Sequence, residues 1–205
     1  MNLVIGKNSI ISFNLKKWLS ADYISHKEVK RINKKEYDAI YLISFPEQYR
    51  YANEENFLFE KEIFNEFNGK KIIYFSTSKV YPYHLLCSEN DTLEPQSFYS
   101  ENKVKIENII PNYTNKYFIF RISNAFDYKN FSKNTFFDIL SKNYYKNKNI
   151  EFDICIDSKK DFITLDSISY SIAEVVKKNN YGVYNIGSEI GIQIKQILQY
   201  IFESD

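Results

Sequence analysis

The stretch KIIYFSTSKVYP, residues 71–82, opens with a nearly continuous apolar run and ends in small hydroxyl residues. A second apolar run, YFIFRIS, occupies residues 117–123. Such runs are typical of parallel strands that helices cover on both faces of a sheet. Between them, FYSENKVKIENII at residues 98–110 has apolar positions near helical spacing. The order strand, helix, strand therefore predicts a β-α-β unit of a parallel sheet.

The same alternation of short apolar runs and longer helical patterns continues along the chain. Repeated this often, it predicts an α/β fold built on a doubly wound parallel sheet. We expect strands at Asn2–Ile5, briefly at Tyr23–Ile24, and then at Asp38–Ser44, Lys71–Ser76, Tyr117–Ile122, Glu151–Cys155 and Val183–Ile186. We expect helices at Ile10–Leu19, Glu54–Phe67, Phe98–Ile110, Thr135–Lys146, Ser167–Lys178 and Ile192–Ile201.

The bulk composition narrows the class of protein. The chain has 205 residues, which fits a single domain over residues 1–205 with a substantial core. Its 27 basic and 26 acidic residues give a net charge of +1, so neither a nucleic-acid nor a membrane partner is expected. The two cysteines and two histidines lack metal-ligand spacing, so no metal site is predicted. Without a signal peptide or an apolar run of about 18 residues, we expect a soluble, cytoplasmic protein.

The first predicted strand, Asn2–Ile5, leads directly into GKNSIIS at residues 6–12 and then into a helix. A tight turn of this kind can present backbone N–H groups to a pyrophosphate. Gly6 can adopt the required backbone angles, and Ser9 is small, with a hydroxyl that could contact phosphate. Ser12 stands where a third glycine would allow close packing. The turn predicts a dinucleotide site, with a plain β-α turn and a serine cap as the alternative.

A second group of polar residues could carry acid-base chemistry. Tyr99 and Lys103 are four residues apart, so they share one face of the predicted helix. A phenol with a pKa of about 10 exchanges protons poorly near neutral pH, and a nearby positive charge favours its ionised form. We therefore expect the charges of Lys103 and of a bound nicotinamide to draw the pKa of Tyr99 toward neutrality. Thr77 ends the preceding strand, where its hydroxyl can orient a substrate carbonyl or alcohol.

The Tyr-x-x-x-Lys motif alone carries little information in a chain with 18 tyrosines. It occurs three times, at Tyr23/Lys27, Tyr99/Lys103 and Tyr144/Lys148. Only the second copy follows a strand that ends in Ser-Thr, starts a helix and lies between two core strands. The context of this copy therefore selects Tyr99 as the candidate acid-base residue.

Taken in order, these segments resemble the extended short-chain dehydrogenase/reductase family, which includes nucleotide-sugar epimerases, dehydratases and 4-keto reductases. Besides the first turn and the STSKVYP segment, the resemblance rests on the aliphatic strand ending at Ser44, PQSFYSENK (95–103), RISNAF (121–126), DFITLD (161–166) and GVYNIGS (182–188). It implies a Rossmann-type fold that binds NAD or NADP together with a nucleotide-sugar substrate. A homodimer is possible.

The resemblance also implies residue roles. Thr77 would orient the substrate, Tyr99 would be the catalytic acid-base and Lys103 the ribose-binding activator. The implied cofactor-binding residues are Gly6, Ser9, Ile10, Ile11, Ser44, Tyr99 and Lys103. The implied substrate-binding residues are Thr77, Ser78 and Asn124. Asn124 would face the substrate diphosphate, with a turn residue whose hydrogen bonds are satisfied as the alternative.

The implied activity is that of an NAD(P)-dependent reductase or epimerase acting at a keto or hydroxyl carbon of a nucleotide-linked sugar. Dehydratases of the family carry an Asp-Glu pair after the threonine, where this chain has Ser78 and Lys79, so dehydration is disfavoured. A binding or regulatory module without turnover is the alternative from another class.

Several positions depart from the family pattern. Ser12 replaces a glycine, Lys160 stands where arginine is usual, and Asp127 stands where glycine is usual. Family members generally continue well beyond the last predicted helix, so we expect a reduced C-terminal substrate lobe, with residues 124–205 forming the small substrate-side portion. Asp22 precedes the second strand rather than ending it, which leaves NAD and NADP both open.

Overall fold

The computed structural model describes residues 1–83, 86–127 and 155–202. Within these ranges the strands are β1 Asn2–Ile5, β2 Asp22–Ile24, β3 Ala39–Leu42, β4 Lys71–Thr77, β5 Tyr117–Ile122, β6 Asn124–Phe126, β7 Lys159–Thr164, β8 Gly182–Ile186 and β9 Gly191–Gln193. The α-helices are α1 Ile10–Leu15, α2 Leu58–Glu66, α3 Phe98–Ile109, α4 Leu165–Lys177 and α5 Ile194–Phe202. Short 3-10 helices occupy His26–Arg31, Lys34–Glu36, Glu47–Arg50, Ser78–Val80 and Ile110–Asn112.

Six strands form a parallel sheet in the order β2-β1-β3-β4-β5-β8. All of β3 and the last six residues of β4 are buried, as expected for strands that are covered on both faces. One buried cluster packs α2 and α3 against the sheet through Phe64 and Ile106. A second cluster includes Leu15 of α1 and Ile172 of α4. The predicted doubly wound α/β fold is confirmed.

The strand order reverses at β1, which lies between β2 and β3. In open sheets of this kind, ligands bind beyond the carboxyl ends of the strands at such a point. The Gly6 turn follows β1, Ser44 follows β3, and Thr77 is the last residue of β4. The topology therefore brings these three predicted site residues to one edge of the sheet.

A small second sheet was not predicted from the sequence. In it, β7 pairs with β6 in parallel and with β9 in antiparallel orientation. Both β6 and β9 have only three residues, too few for a periodic pattern. Because β9 takes the first residues of the predicted helix Ile192–Ile201, that helix begins at Ile194.

Residues 124–205 supply the small sheet, but they also supply α4 and the β8 strand of the main sheet. The predicted helix Thr135–Lys146 lies outside the described residues. So does the predicted strand Glu151–Cys155, apart from Cys155 itself.

Two further properties concern the described ranges alone. None of their helices combines the length and hydrophobicity that a bilayer crossing needs. No group of three or more His, Cys, Asp or Glu side chains in these ranges could hold a metal ion.

Candidate active site

Gly6 makes the turn after β1 tight. Its φ angle is +120°, and its N–H donates to the carbonyl oxygen of Ile24 at 2.8 Å. A Cβ atom at this position would lie 2.8 Å from the backbone nitrogen of Ser44. Because that neighbour is backbone and φ is in the left-handed region, only glycine fits here without strain. The turn is thus pressed against the end of β3.

Two serines hold this turn in place. The Ser9 hydroxyl caps α1 by accepting from the Ile11 N–H at 3.2 Å, and the Ser9 N–H donates to the Gly6 carbonyl at 2.9 Å. Ser12 is fully buried, and its hydroxyl donates to the same carbonyl at 2.7 Å. This bond explains how serine is accommodated where the family has glycine. A phosphate contact by Ser9 stays a prediction.

The residues around β2 bear on the choice of cofactor. Asp22 lies at the amino end of β2 and accepts a hydrogen bond from the Tyr37 hydroxyl at 2.7 Å, so it is remote from the carboxyl edge. At that edge, the Glu28 carboxylate accepts from the Ser25 N–H at 2.6 Å and pairs with Lys7 at 2.8 Å. Asp22 is therefore not placed to be the acidic residue that selects NAD by binding the adenosine ribose.

Thr77 and Tyr99 meet at the carboxyl end of β4. Thr77 is the last residue of this strand, and its hydroxyl accepts from the Lys79 N–H at 3.3 Å. The Ser97 hydroxyl accepts from the Ser100 N–H at 3.3 Å, which fixes the start of α3 and places Tyr99 in its first turn. The Thr77 hydroxyl lies close enough to the Tyr99 phenol to lower its pKa. This is the pairing that the sequence context predicts.

The surroundings of Tyr99 favour the neutral phenol. Burial raises the pKa of Tyr99, and the Arg50 guanidinium and the Thr77 hydroxyl oppose this shift. The Arg50 guanidinium carbon lies 4.8 Å from the ring centroid, and the Phe45 ring packs edge-on at 5.3 Å. Burial outweighs the neighbouring charges of the protein here, and the effect of Lys103 together with a bound nicotinamide on this pKa stays a prediction.

Lys103 is almost completely buried beneath the site. Its side chain is 3% exposed, and its amine donates to the backbone carbonyl of Phe75 at 2.5 Å. The amine lies 4.3 Å from the ring centroid of Phe45, 4.7 Å from that of Tyr74 and 5.9 Å from that of Tyr99. Burial lowers the pKa of Lys103 to about 7. A direct contact with a cofactor ribose stays a prediction.

The remaining predicted residues are more dispersed. Ile10 and Ile11 pack partly buried against the core, and the Ser44 N–H donates to the Ile5 carbonyl at 3.0 Å. Ser78 begins the short helix after Thr77. Asn124 begins β6 in the small sheet, and its amide nitrogen donates to the Asp161 carbonyl at 2.8 Å. That bond supports the alternative of a satisfied structural residue.

Three residues beside the site were not predicted from the sequence: Phe45, Arg50 and Glu60. Phe45 and Arg50 lie between β3 and α2, where no periodic pattern marks them. Glu60 did carry a signal in the sequence, because it falls at helical spacing between Phe57 and Phe64, on the apolar face of α2. In the structure it is completely buried. A charged residue at such a position is rare unless it has a partner.

A doubly wound sheet with a glycine turn after β1, and with Thr77 and Tyr99 paired at the end of β4, defines the class of Rossmann-type short-chain dehydrogenases. The model of the RmlD substrate binding domain matches residues 56–200, and the chain belongs to this family. The resemblance stated from the sequence is confirmed. A comparison with curated proteins by sequence gave no match.

Solved structures share the fold. A dTDP-4-dehydrorhamnose reductase from Clostridium acetobutylicum is 18% identical, with a TM-score of 0.79 over 99% of this chain and 80% of that one. A dTDP-4-dehydrorhamnose reductase from Bacillus anthracis in complex with NADP is 16% identical, with a TM-score of 0.79 over 99% and 79%. The UDP-N-acetylglucosamine 4-epimerase from Bacillus cereus is 15% identical, with a TM-score of 0.77 over 99% and 83%.

Proposed function

We propose that the protein is an NAD(P)-dependent reductase or epimerase that acts at a keto or hydroxyl carbon of a nucleotide-linked sugar. The observation that carries the proposal is the proximity of Thr77 and Tyr99 at the carboxyl end of β4, with the Lys103 amine 5.9 Å from the Tyr99 ring centroid. Family membership and the activities of the structural neighbours support it.

The glycine turn fits a dinucleotide. Gly6 makes a tight turn against the backbone after β3, at the point where the strand order reverses. We propose that Gly6, Ser9, Ile10, Ile11 and Ser44 line the cofactor site. A bound nicotinamide cofactor would supply or accept the hydride. We propose both NAD and NADP as candidate cofactors, because the similar solved structures include complexes with each.

Proton transfer falls to Tyr99. Because burial raises its pKa, the phenol is protonated near neutral pH and can donate to a carbonyl oxygen that becomes an alcohol. The Thr77 hydroxyl, which lies close to the phenol, can hold the same oxygen. This state suits reduction. An epimerase must first remove a proton from the sugar alcohol, which the raised pKa disfavours.

A dehydration is not supported. It needs an acid and a base beyond Tyr99, and the residues after Thr77 are Ser78 and Lys79. Serine is too weak an acid, and a charged lysine cannot act as a base. Asn124 and Ser78 are proposed as substrate contacts.

A second candidate is a binding or regulatory module that keeps the fold without turnover. One observation favours it: the Lys103 amine points to the Phe75 carbonyl and lies against the Phe45 ring, instead of facing open solvent. We also propose a cytoplasmic location and a possible homodimer, for which light scattering of the purified protein gives the assembly state.

The test is a panel of nucleotide-linked 4-keto-6-deoxy sugars incubated with the protein and NADH or NADPH. We expect at least one sugar to consume reduced cofactor. Saturable cofactor binding without consumption on any sugar would favour the binding module. No binding of either cofactor up to millimolar concentration would reject the cofactor-dependent enzyme and favour a module that keeps only the fold. Formation of a 4-keto-6-deoxy product from an ordinary nucleotide-hexose would overturn the assignment of reaction type.

A further inference from the structure

An exposed arginine stacks on the candidate acid-base residue. Arg50 ends the 3-10 helix Glu47–Arg50, and its guanidinium carbon lies 4.8 Å from the ring centroid of Tyr99. Tyr99 is partly buried, whereas Arg50 is exposed. No carboxylate in the described part of the chain pairs with this guanidinium, so the protein does not neutralise its charge there. A full positive charge therefore lies against the phenol ring.

The backbone that carries Arg50 is fixed to the helix that carries Tyr99. The side-chain amide of Asn102 in α3 donates to the Tyr49 carbonyl at 2.9 Å and to the Ala52 carbonyl at 2.8 Å, on either side of Arg50. Tyr49 itself is buried. Because Asn102 follows Tyr99 by three residues in α3, one set of hydrogen bonds holds the arginine segment beside the phenol.

Lys103 is the other cation near Tyr99, but its charge is less constant. Its amine lies 5.9 Å from the same ring centroid and donates to the Phe75 carbonyl at 2.5 Å. Burial lowers the pKa of Lys103 to about 7, so the amine loses its proton as the pH rises through neutrality. An arginine stays charged throughout this range. Arg50 is therefore the constant positive charge beside the phenol.

The surroundings of Tyr99 contain few groups that could replace this charge. The titratable groups that face Tyr99 or its neighbours are Arg50 in the segment after β3, Tyr74 of β4, Lys103 and Glu107 of α3, and Glu60 of α2. Of these, Arg50 is the exposed member, so dissolved salt can screen its charge. The Arg50 charge lowers the pKa of Tyr99, against the larger upward effect of burial.

We propose that Arg50 is a positioning residue that acts through Tyr99 and stabilises its tyrosinate form during proton transfer. In the proposed reduction, hydride from reduced nicotinamide goes to the carbonyl carbon, the phenol O–H bond breaks, and its proton forms the O–H bond of the sugar alcohol. The negative charge stays on the Tyr99 oxygen until solvent returns a proton. A cation already in place favours this charged form. The effect on turnover rests on the proposed function, whereas the effect of Arg50 on the phenol does not.

A titration of the phenol tests the charge effect without cofactor or substrate. Tyr99 is replaced by a fluorotyrosine whose ring carries enough fluorine atoms to ionise well below the pH of alkaline unfolding, and fluorine NMR follows its ionisation. In Arg50→Gln we expect the pKa of this phenol to rise by about one unit, because the anion loses its neighbouring cation. Arg50→Lys should keep part of the effect. About 1 M salt should reduce the difference between R50Q and the unsubstituted arginine, since an exposed charge is screened.

Arg31→Gln is the matched control for this titration. Arg31 is also exposed and also ends a 3-10 helix, His26–Arg31, but it makes no cation-π contact with Tyr99. We expect the phenol pKa to be unchanged in R31Q. An unchanged pKa in R50Q would overturn the proposal, and so would equal shifts in R50Q and R31Q.

The split between kcat and KM tests the consequence for turnover. In R50Q we expect kcat to fall about threefold to tenfold with little change in KM, because a weaker acid gives up its proton less readily in the transition state. R50K should recover part of this loss. A rise in KM with kcat unchanged would mean that Arg50 binds the substrate directly, and would overturn its role through Tyr99. An inactive wild type would count against the proposed function and leave the titration decisive for the charge effect.

Discussion

Tyr99 and Lys103 share one face of α3, yet burial shifts their pKa values in opposite directions, upward for the phenol and to about 7 for the amine. Both shifts favour the uncharged form, because a buried site solvates charge poorly. Near neutral pH the pair therefore offers a phenol proton beside an amine that titrates in the working range. Reduction of a ketone needs this state, since it ends with a proton on oxygen.

Tyr99→Phe removes this proton donor and keeps the aromatic ring. We expect turnover to fall at least about a hundredfold, the usual scale for losing a positioned acid, with folding preserved. Consumption of reduced nicotinamide measures it. Tyr23→Phe is the control, because Tyr23 carries the same motif but its hydroxyl donates to the Leu19 carbonyl at 3.1 Å. Equal losses in both variants would show that the strand-end context selects the wrong tyrosine.

Gly6→Ala tests the cofactor turn. The new Cβ would lie 2.8 Å from the Ser44 backbone nitrogen at a φ of +120°, so we expect a loss of about 2 kcal/mol in stability and weaker NAD(P)H binding. Nicotinamide fluorescence and chemical denaturation measure the two effects. Gly69→Ala is the matched control, with a φ of +74° but no atom within 4 Å of its Cβ. Unchanged cofactor affinity in G6A would place the dinucleotide elsewhere.

The sequence could predict the residues that do chemistry better than the residues that surround them. Thr77 and Tyr99 stand at the end of a strand and the start of a helix, so local pattern and topology suffice to bring them together. Phe45 and Arg50 reach Tyr99 from a segment without periodicity, and only tertiary packing puts them there. The direction of the Tyr99 pKa depended on this packing.

At the scale of single elements, the start of a helix is set by a neighbouring residue in one case and by a residue distant in the sequence in another. The predicted start of α3 at Phe98 is confirmed, because Ser97 caps it within three residues. The α2 helix begins at Leu58 rather than at Glu54. Asn102 of α3 accepts from the Glu54 N–H at 3.0 Å and donates to the Ala52 carbonyl at 2.8 Å. This long-range clamp holds the segment before α2 out of the helix, and no local pattern reveals it.

A buried ion pair fixes α3 to β5. The Arg121 guanidinium donates to Glu107 at 2.8 Å, to the Tyr81 hydroxyl at 2.7 Å and to the Glu89 carbonyl at 3.1 Å. The Tyr81 hydroxyl in turn donates to the Asn185 side chain of β8 at 2.8 Å. The helix that carries Tyr99 is thereby tied to two neighbouring strands.

Arg121→Met should cost about 3 to 5 kcal/mol, because it leaves the Glu107 carboxylate buried without its cation. Denaturant unfolding measures the loss, and Glu107→Leu in the same chain should restore part of it. Lys177→Met is the control, because its pair with Glu174 at 2.5 Å is exposed and is worth about 1 kcal/mol or less. A loss in R121M no larger than in the control would mean that the Arg121–Glu107 ion pair contributes little to stability.

At the scale of the molecule, the alternation of elements predicts the main sheet, whose central strands β3, β4 and β5 lie in apolar runs. It does not predict the small sheet, whose short strands are defined by long-range pairing. The two sheets are joined through Asp161 of β7. Its carboxylate accepts from the Ser188 N–H at 2.9 Å, the Ser188 hydroxyl at 2.7 Å and the Ser123 hydroxyl at 3.3 Å. Ser123 and Ser188 follow β5 and β8 of the main sheet.

Asp161→Asn should loosen this junction. The amide nitrogen cannot accept, so the N–H groups of Ser188 and Glu189 and the Ser188 hydroxyl, which now donate to two carboxylate oxygens, must share one carbonyl oxygen. We expect a loss of about 1 to 3 kcal/mol in unfolding free energy and faster hydrogen exchange at both amides.

Gly187 allows the Asp161 carboxylate to lie close to the backbone after β8. A Cβ atom at position 187 would lie 2.3 Å from that carboxylate. Asp157→Asn is the matched control, since that carboxylate is exposed and pairs with Lys195 at 2.6 Å. If D161N and D157N have equal stability and equal exchange at Ser188, the carboxylate does not hold the two sheets together. A larger effect in D161N would identify this bond set as the reason that a second sheet of such short strands persists beside the first.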